Sequence, residues 1–249
     1  MKVLLSEDRK IFFVDETRGK YFSTHLGNIN LDELKNKKFG DVILSSKGKK
    51  FIVIYPNIDE IKDIIKRGPQ ITHPKDLGYI LTKICLKDDL KILEIGTGCG
   101  YSTIFFSIIA KNGKVVSYEY RKDFYELAKK NIEVIENILG LKLNITLKNE
   151  KFDKSTKLED TFDFVFIDIP NPEDIIENIS KNVVNGGLIC LYLPNTTQII
   201  KLFSKLPKNV SIDEIVRIVK EEWTIDKDIL RPKNTQLYHT AFMVFLRKI

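Results

Sequence analysis

The sequence predicts an α/β protein with a mostly parallel β-sheet between helices, preceded by a small all-β domain. Three observations support this prediction. A short apolar strand at residues 91–95 runs into the glycine-rich turn EIGTGCG at residues 94–100, and an apolar helix follows at residues 102–110. From residue 76 onward, strand and helix patterns alternate, which is typical of a parallel sheet covered on both faces. Residues 1–56 instead contain strand patterns and turn signals.

The N-terminal segment has the pattern of antiparallel strands. Strands are expected at residues 10–14, 41–44 and 51–55. The loop SSKGKK at residues 45–50 joins the last two as a hairpin, with Gly48 at a position that needs a positive φ angle.

We divide the chain into three parts. Residues 1–56 form the small β-domain, which Pro56 ends. Residues 57–75 form a linker with an amphipathic helix at 58–66, broken by the following Gly-Pro pair. Residues 76–249 form the sheet domain.

The sheet domain is predicted to alternate in a regular order. After the glycine turn and its helix come a strand at 114–120, a helix at 122–138, strands at 143–148 and 162–168, a helix at 172–184, a Gly-Gly turn at 186–187, a strand at 188–193 and a helix at 195–206. Two extended runs at residues 212–223 and 240–246 close the chain, and we expect them to pair antiparallel at the sheet edge.

Composition limits the class of protein. The chain has 249 residues, of which 43% are hydrophobic, and a net charge of +6. This charge suits a polyanionic partner as well as simple solubility. No uncharged apolar run reaches the roughly 18 residues of a membrane span, and the N-terminus is too short and too acidic for a signal peptide. We therefore expect a cytoplasmic protein with no membrane partner.

Cys85, Cys99 and Cys190 are widely spaced, so neither a disulfide nor a metal site is expected.

The glycine turn and two acidic residues predict a nucleotide-type ligand site. Three glycines at alternate positions let the backbone approach a ligand closely, and their spacing is GxGxG, whereas dinucleotide binding uses GxGxxG. Glu119 ends the next strand about 20 residues on, where a carboxylate can accept hydrogen bonds from both ribose hydroxyls. Asp168 ends the fourth strand, at the sheet edge where ligands of open α/β proteins bind. The alternative for Asp168 is a capping residue of the helix that follows.

The glycine turn, with an acidic residue closing the next strand, resembles the first two motifs of the Rossmann-like S-adenosylmethionine (SAM) methyltransferases, whose sheets have an antiparallel last strand. A wider set of motifs resembles the tRNA (adenine-58-N1) methyltransferase family. These motifs are THLGNI at 24–29, RGPQITHPKD at 67–76, the turn at 94–100, DIPNPE at 168–173 and a C-terminal run at 231–248. The chain departs from the family pattern at His73, where the family has Tyr, at Cys99, where it has Ser, and at Glu173, where it has Trp.

The resemblance implies methyl transfer from SAM to N1 of an adenine in the T loop of tRNA. The target is position 58, and whether position 57 is also modified stays open. Asp168 is the catalytic residue that this implies. The implied cofactor-binding residues are Gln70, Glu94, Gly96, Gly98, Gly100, Ser102, Thr103, Glu119 and Glu150. The implied substrate-binding residues are His73, Lys75 and Arg231, with no metal ligand, and the family suggests a homotetramer.

Two alternatives remain at this point. Protein-isoaspartate methyltransferases also carry an EIGTGxGY turn, but they do not explain the β-domain or the DIPNP motif. A non-catalytic tRNA-binding subunit is a second alternative, and the intact glycine turn, Glu119 and Asp168 argue against it.

Overall fold

The computed structural model describes residues 2–17, 19–55, 57–84, 87–226 and 228–249. Its chain forms two compact units. One comprises Met1–Lys66 with Asn131–Lys142, and the other comprises Arg67–Lys130 with Leu143–Ile249. The division into three parts at residues 56 and 75 stays a prediction. Pro56 lies outside the described residues.

The first unit is built mainly from antiparallel strands. Its elements are β1 (Lys2–Ser6), β2 (Ile11–Val14), β3 (Tyr21–Thr24), β4 (Gly27–Asn30), α1 (Leu31–Lys35), β5 (Val42–Leu44), β6 (Lys50–Ile54), a 3-10 helix (Ile58–Glu60) and α2 (Ile61–Ile64). Four strands form a sheet in the order β2-β1-β6-β5, and β3 pairs with β4. The three strands predicted here are confirmed, whereas the helix predicted at 58–66 is shorter.

Strand β1 was not predicted, although it lies at the centre of this sheet. Val3, Leu4 and Ser6 are buried without regular alternation, so the period-2 signal of a strand is weak. Pairing with β2 on one side and β6 on the other defines the strand.

The second unit is the α/β sheet. Its elements are α3 (Pro74–Lys83), β7 (Lys91–Ile95), α4 (Tyr101–Ile109), β8 (Lys114–Tyr118), α5 (Lys122–Leu139, which continues into the first unit), β9 (Ile145–Lys148), β10 (Phe162–Ile167), a 3-10 helix (Pro172–Asp174), α6 (Ile176–Ser180), β11 (Val183–Leu193), α7 (Thr196–Phe203), β12 (Val210–Val216), β13 (Trp223–Asp226), β14 (Ile229–Pro232) and β15 (Phe242–Lys248). None of the helices within the described residues is both long enough and apolar enough to cross a membrane.

Seven of these strands form one sheet in the order β12-β15-β11-β10-β7-β8-β9. Strand β15 runs antiparallel to both of its neighbours, β12 and β11, and the other pairs of this sheet are parallel. The central strands are almost continuously buried, as expected for parallel strands covered on both faces. The predicted fold class, with an antiparallel last strand, is confirmed.

The helix predicted at 172–184 is wrong in length. A 3-10 turn and the short α6 replace it, and β11 begins at Val183 and continues through the two glycines that predicted a turn. The pairing of β10 with β11 shifts register after Phe162. A Cβ at Gly187 would lie 2.7 Å from Val183 Cγ1 and 2.8 Å from the Val184 carbonyl oxygen, so the pair permits an irregularity inside a strand.

The extended run predicted at 212–223 is also divided. Strand β12 ends at Val216, and Trp223 begins the separate hairpin β13–β14. The residues of β14 are all exposed, so this hairpin lacks the apolar alternation by which a half-buried strand is recognised.

Candidate functional site

The carboxyl ends of β7, β8 and β10 meet at one edge of the sheet. The Gly96 N–H donates to the Tyr118 carbonyl at 3.0 Å, and the Asp168 N–H donates to the Ile95 carbonyl at 2.9 Å. Glu119 is the first residue after β8, which ends two residues earlier than predicted. Parallel pairing therefore places the glycine turn, Glu119 and Asp168 side by side, as ligand-binding residues of open α/β sheets are placed.

The glycine turn has a backbone that only glycine adopts easily. Gly96, Gly98 and Gly100 have φ angles of +101°, +56° and +85°. A Cβ at Gly96 would overlap the carbonyl oxygen of Asp168, and one at Gly98 would lie 3.1 Å from Pro69 Cγ. The turn is thus held between the end of β10 and the segment before α3.

Glu94 lies beneath this turn with its side chain fully buried. The Ser102 hydroxyl donates to its Oε1 at 2.5 Å, and the hydroxyls of Ser117, at 2.6 Å, and Thr103 donate to its Oε2. Ser117 also lies 2.6 Å from the Thr97 hydroxyl. Burial raises the pKa of the Glu94 carboxyl to about 7, although the three hydroxyl donors oppose the shift. Glu94 therefore ties β8 and the first turn of α4 to the glycine turn.

Glu94→Gln is expected to flatten the pH dependence of stability. Burial raises the pKa of Glu94 from 4.5 to about 7 in the folded chain. Between these values the folded state holds a proton that the unfolded state has lost. The stabilisation is thus complete below pH 4.5 and is lost as pH rises through 7. We expect the wild-type Tm to fall more steeply than that of Glu94→Gln between pH 5 and 8 in thermal melts. The exposed Glu150→Gln is the control, and equal slopes for wild type and Glu94→Gln would contradict this.

The Glu119 carboxylate is oriented by donors of its own chain. Its Oε2 accepts from the Gly98 N–H at 2.9 Å, and its Oε1 accepts from the Arg121 backbone N–H at 3.0 Å and Arg121 Nε at 3.2 Å. The Asn149 amide donates to the Glu119 carbonyl at 2.8 Å. The predicted neighbour Glu150 is exposed and stands outside this network. Sequence reasoning missed Arg121, Asn149 and Ser117, for which neither motif nor spacing gave a signal.

Asp168 borders a small cavity together with the glycine turn. Gln70 and Thr72 line the same cavity. Burial raises the pKa of the Asp168 carboxyl to about 7, and the negative charge of Glu94 adds to the shift. The 3-10 helix that follows begins at Pro172 with Asn171 as its N-cap residue, so the helix-capping alternative for Asp168 is wrong.

Lys75 belongs to a buried polar cluster. Its ammonium lies 2.6 Å from both Asp76 Oδ1 and Thr240 Oγ1. Asp76 Oδ2 accepts from Tyr192 at 2.8 Å and from Thr240 at 2.5 Å. The side chain of Lys75 is 5% exposed and that of Asp76 is 0% exposed, so this ammonium is not placed at an RNA-accessible surface. Asp76 and Tyr192 were not among the predicted site residues.

The other two predicted substrate residues lie in different surroundings. His73 is the N-cap residue of α3, and its Nδ1 accepts from the Lys75 N–H at 3.4 Å. Arg231 is exposed in β14, where its guanidinium donates to Asn234 Oδ1 at 2.6 Å. The structure does not bring Arg231 into contact with the residues around Asp168.

Cys99 and Cys190 are buried and form no disulfide, and Cys99 lines the Asp168 cavity. Cys85 lies outside the described residues. In the part of the chain that the structure describes, no three His, Cys, Asp or Glu residues are grouped to hold a metal ion.

Relatives with solved structures share the fold over the whole chain. A SAM-dependent O-methyltransferase from Thermotoga maritima is 30% identical with a TM-score of 0.84, and the match covers 100% of this chain and 92% of that one. The tRNA (m1A58) methyltransferase TrmI from Aquifex aeolicus is 28% identical with a TM-score of 0.81, covering 100% and 97%.

The sequence matches point to the same family. The tRNA (adenine(57)-N(1)/adenine(58)-N(1))-methyltransferase TrmI of Methanocaldococcus jannaschii is 27% identical over 269 residues, covering 99% of this chain and 94% of the relative. A family model described as tRNA methyltransferase complex GCD14 subunit matches residues 53–228. Because that match spans well over half of the sequence and confirms the predicted resemblance, the chain belongs to the tRNA methyltransferase complex GCD14 subunit family.

Proposed function

We propose that this chain is a SAM-dependent methyltransferase that acts on N1 of adenine 58 in the T loop of tRNA. The observation that carries the proposal is the position of Asp168, whose backbone N–H is bonded to Ile95 beside the glycine turn. Relatives of this chain that are named TrmI act on adenine 58, and one of them also acts on adenine 57. Whether this chain modifies both adenines is a question for the product analysis.

The residues present fit SAM. The three glycines of the turn have no side chains that would keep a ligand from their backbone, and Glu119 carries a carboxylate of the kind that accepts from ribose hydroxyls. A carboxylate has about four acceptor positions, and three donors of this chain use three of them at Glu119. We propose that Glu94, Ser102 and Thr103 support the turn from below, since they bond to one another. Gln70 borders the Asp168 cavity from the opposite segment and is our candidate for a further contact.

SAM, when bound, supplies a methyl sulfonium that is already a strong electrophile. The protein has to align N1 of the base with the methyl group and to exclude competing nucleophiles. N1 normally faces its pairing partner, so the adenine must be turned out of the folded loop. Asp168 accepts a hydrogen bond from the exocyclic N6 amine, which orients the base and stabilises the positive charge that develops on the ring.

The remaining predicted residues have supporting roles in this proposal. His73 contacts a base of the tRNA, and Arg231 on its exposed strand contacts the phosphate backbone. Lys75 was expected to bind substrate, but its buried contacts with Asp76 and Thr240 fit a positioning role better. Glu150 is exposed and directly follows Asn149, which bonds to the Glu119 carbonyl. We therefore keep a contact of Glu150 with the cofactor adenine as a proposal. We also propose that the chain forms a homotetramer, which sedimentation analysis of the purified chain would test. We propose a cytoplasmic location for it.

The decisive experiment offers the purified protein two substrates. Unmodified tRNA and a peptide that contains isoaspartate are each incubated with labelled SAM, and the tRNA product is digested to nucleosides. We expect 1-methyladenosine from the tRNA and no methylated peptide. Methylation of the peptide alone would support the isoaspartate alternative. Binding of tRNA with neither SAM binding nor methylation of either substrate would support the tRNA-binding subunit.

Glu119→Ala is expected to weaken SAM and S-adenosylhomocysteine equally, by roughly 1.5 to 3 kcal/mol. Both ligands carry the same ribose, and the lost hydrogen bonds involve a charged acceptor. Calorimetric titration measures both affinities, with Glu177→Ala, an exposed residue of α6, as the control. Unchanged affinity for both ligands would remove Glu119 from the binding site.

A further inference from the structure

The segment Gln70–His73 borders two different cavities. Gln70 and Thr72 line the cavity that contains Asp168 and the glycine turn. His73, the next residue, lines a second cavity of about 390 Å³, together with Lys220, Glu222, Thr235, Gln236 and Leu237. We name it the His73 cavity. Its volume lies in the range of small-ligand pockets, roughly 300 to 1,000 Å³.

One wall of the His73 cavity is fixed by the side chain of Gln236. Its Oε1 accepts from the Glu222 N–H at 2.9 Å, and its Nε2 donates to the Glu222 carbonyl at 2.9 Å. The Lys233 N–H donates to the same carbonyl at 2.8 Å. Gln236 therefore closes the base of the β13–β14 hairpin as a strand residue would. An isolated two-stranded hairpin is only marginally stable, so these bonds help to hold the wall in place.

The wall that contains Glu222 carries side chains of both charges. The Glu222 carboxylate is bonded to Lys220 at 2.9 Å and to Lys233 at 2.6 Å. Hydrogen bonds from these two ammonium groups lower the pKa of Glu222 to about 2. Lys220 lines the cavity, and its ammonium offers a positive group to a phosphate.

The chemistry of the lining matches a nucleotide. The His73 ring and the Leu237 side chain offer flat or apolar surface to a base, and such stacking is tolerant of base identity. The Thr235 hydroxyl can reach a base edge or a ribose, and Lys220 can reach a phosphate.

We propose that the His73 cavity binds the nucleotide next to the target adenine in the tRNA strand, and that Gln236 is a positioning residue for it. This proposal rests on the proposed function, which places the target adenine at Asp168. Because consecutive residues, Thr72 and His73, border the two cavities, consecutive nucleotides of one strand can occupy them. Enzymes that turn a base out of its stack commonly contact the flanking nucleotides.

The test uses unmodified tRNA joined from two halves, so that an abasic nucleotide can replace either neighbour of adenine 58. Binding is measured for wild type, Gln236→Ala and His73→Asn. The asparagine retains an N-cap acceptor for α3 but removes the ring. Leu230→Ala, an exposed residue of the same hairpin outside the cavity lining, is the matched control.

We expect wild type and Leu230→Ala to lose about tenfold in affinity when one particular neighbour is abasic, in keeping with one stacked base. Gln236→Ala and His73→Asn should bind intact tRNA about tenfold more weakly than wild type does. Their affinity should fall no further when the same neighbour is abasic. Affinity for S-adenosylhomocysteine should be unchanged in all four proteins. Equal wild-type affinity for intact and abasic tRNA, or losses that simply add, would overturn the subsite while methylation of adenine 58 persists. A wild-type chain that fails to methylate intact tRNA would overturn the proposed function as well.

Discussion

Asp168→Ala is expected to reduce methyl transfer to tRNA by about 100-fold or more, with little change in SAM affinity. Its proposed partner is the N6 amine of the target adenine, so the lost hydrogen bond is one that strengthens as charge develops on the ring. Removing one such group typically slows the chemical step by about 100- to 1,000-fold. Single-turnover methylation at saturating SAM measures the chemical step, and calorimetry with S-adenosylhomocysteine measures binding.

The matched control for this variant is Asp174→Ala. Asp174 follows in the same segment but is exposed, where it pairs with Lys205 at 2.7 Å. We expect Asp174→Ala to methylate tRNA at the wild-type rate. Near-normal turnover of Asp168→Ala would remove Asp168 from the mechanism.

Asp76→Ala is expected to lower the free energy of unfolding by about 3 to 5 kcal/mol, because it leaves the Lys75 ammonium buried without its counter-charge. The Tyr192 and Thr240 hydroxyls lose the same acceptor. Urea denaturation measures the change. The exposed pair of Asp174 and Lys205 provides the comparison, and its removal should cost at most about 1 kcal/mol.

A double-mutant cycle separates the ion pair from its surroundings. Lys75→Met removes the buried ammonium, so the double variant of Lys75→Met and Asp76→Ala should be less destabilised than the sum of the two single variants. Strictly additive losses would show that the two side chains act independently. They would also show that the contacts of Lys75 and Asp76 with Thr240, two residues before β15, do not depend on the ion pair.

The main parts of the site could be predicted from local sequence. Three glycines between an apolar strand and an apolar helix specify a turn that approaches a ligand, and the side-by-side pairing of parallel strands then fixes where Glu119 and Asp168 must lie. A single topological rule converts three local patterns into one site. The antiparallel last strand β15 was predicted from a different pattern, because two extended runs joined by a polar segment are typical of an antiparallel pair at a sheet edge.

Contacts between distant positions could not be predicted in this way. Ser117 bonds to Glu94 across 23 positions, and Tyr192 bonds to Asp76 across 116. Serine and tyrosine at those places are ordinary strand residues until β7 and β8 pair, or until α3 packs near the end of β11. Pairing also identified β1, since its apolar run had no period of its own.

The sequence by itself determined the α/β class, the antiparallel last strand and the main parts of the candidate site, which are the glycine turn, Glu119 and Asp168. Each depends on local periodicity or on a conformation that few residues adopt. Only the tertiary structure decided that Lys75 is buried, that Glu94 supports the turn from below and that Gln236 closes a second cavity beside His73. Burial and hydrogen bonding between segments far apart in the chain depend on how the elements pack, and no local pattern of residues records that packing.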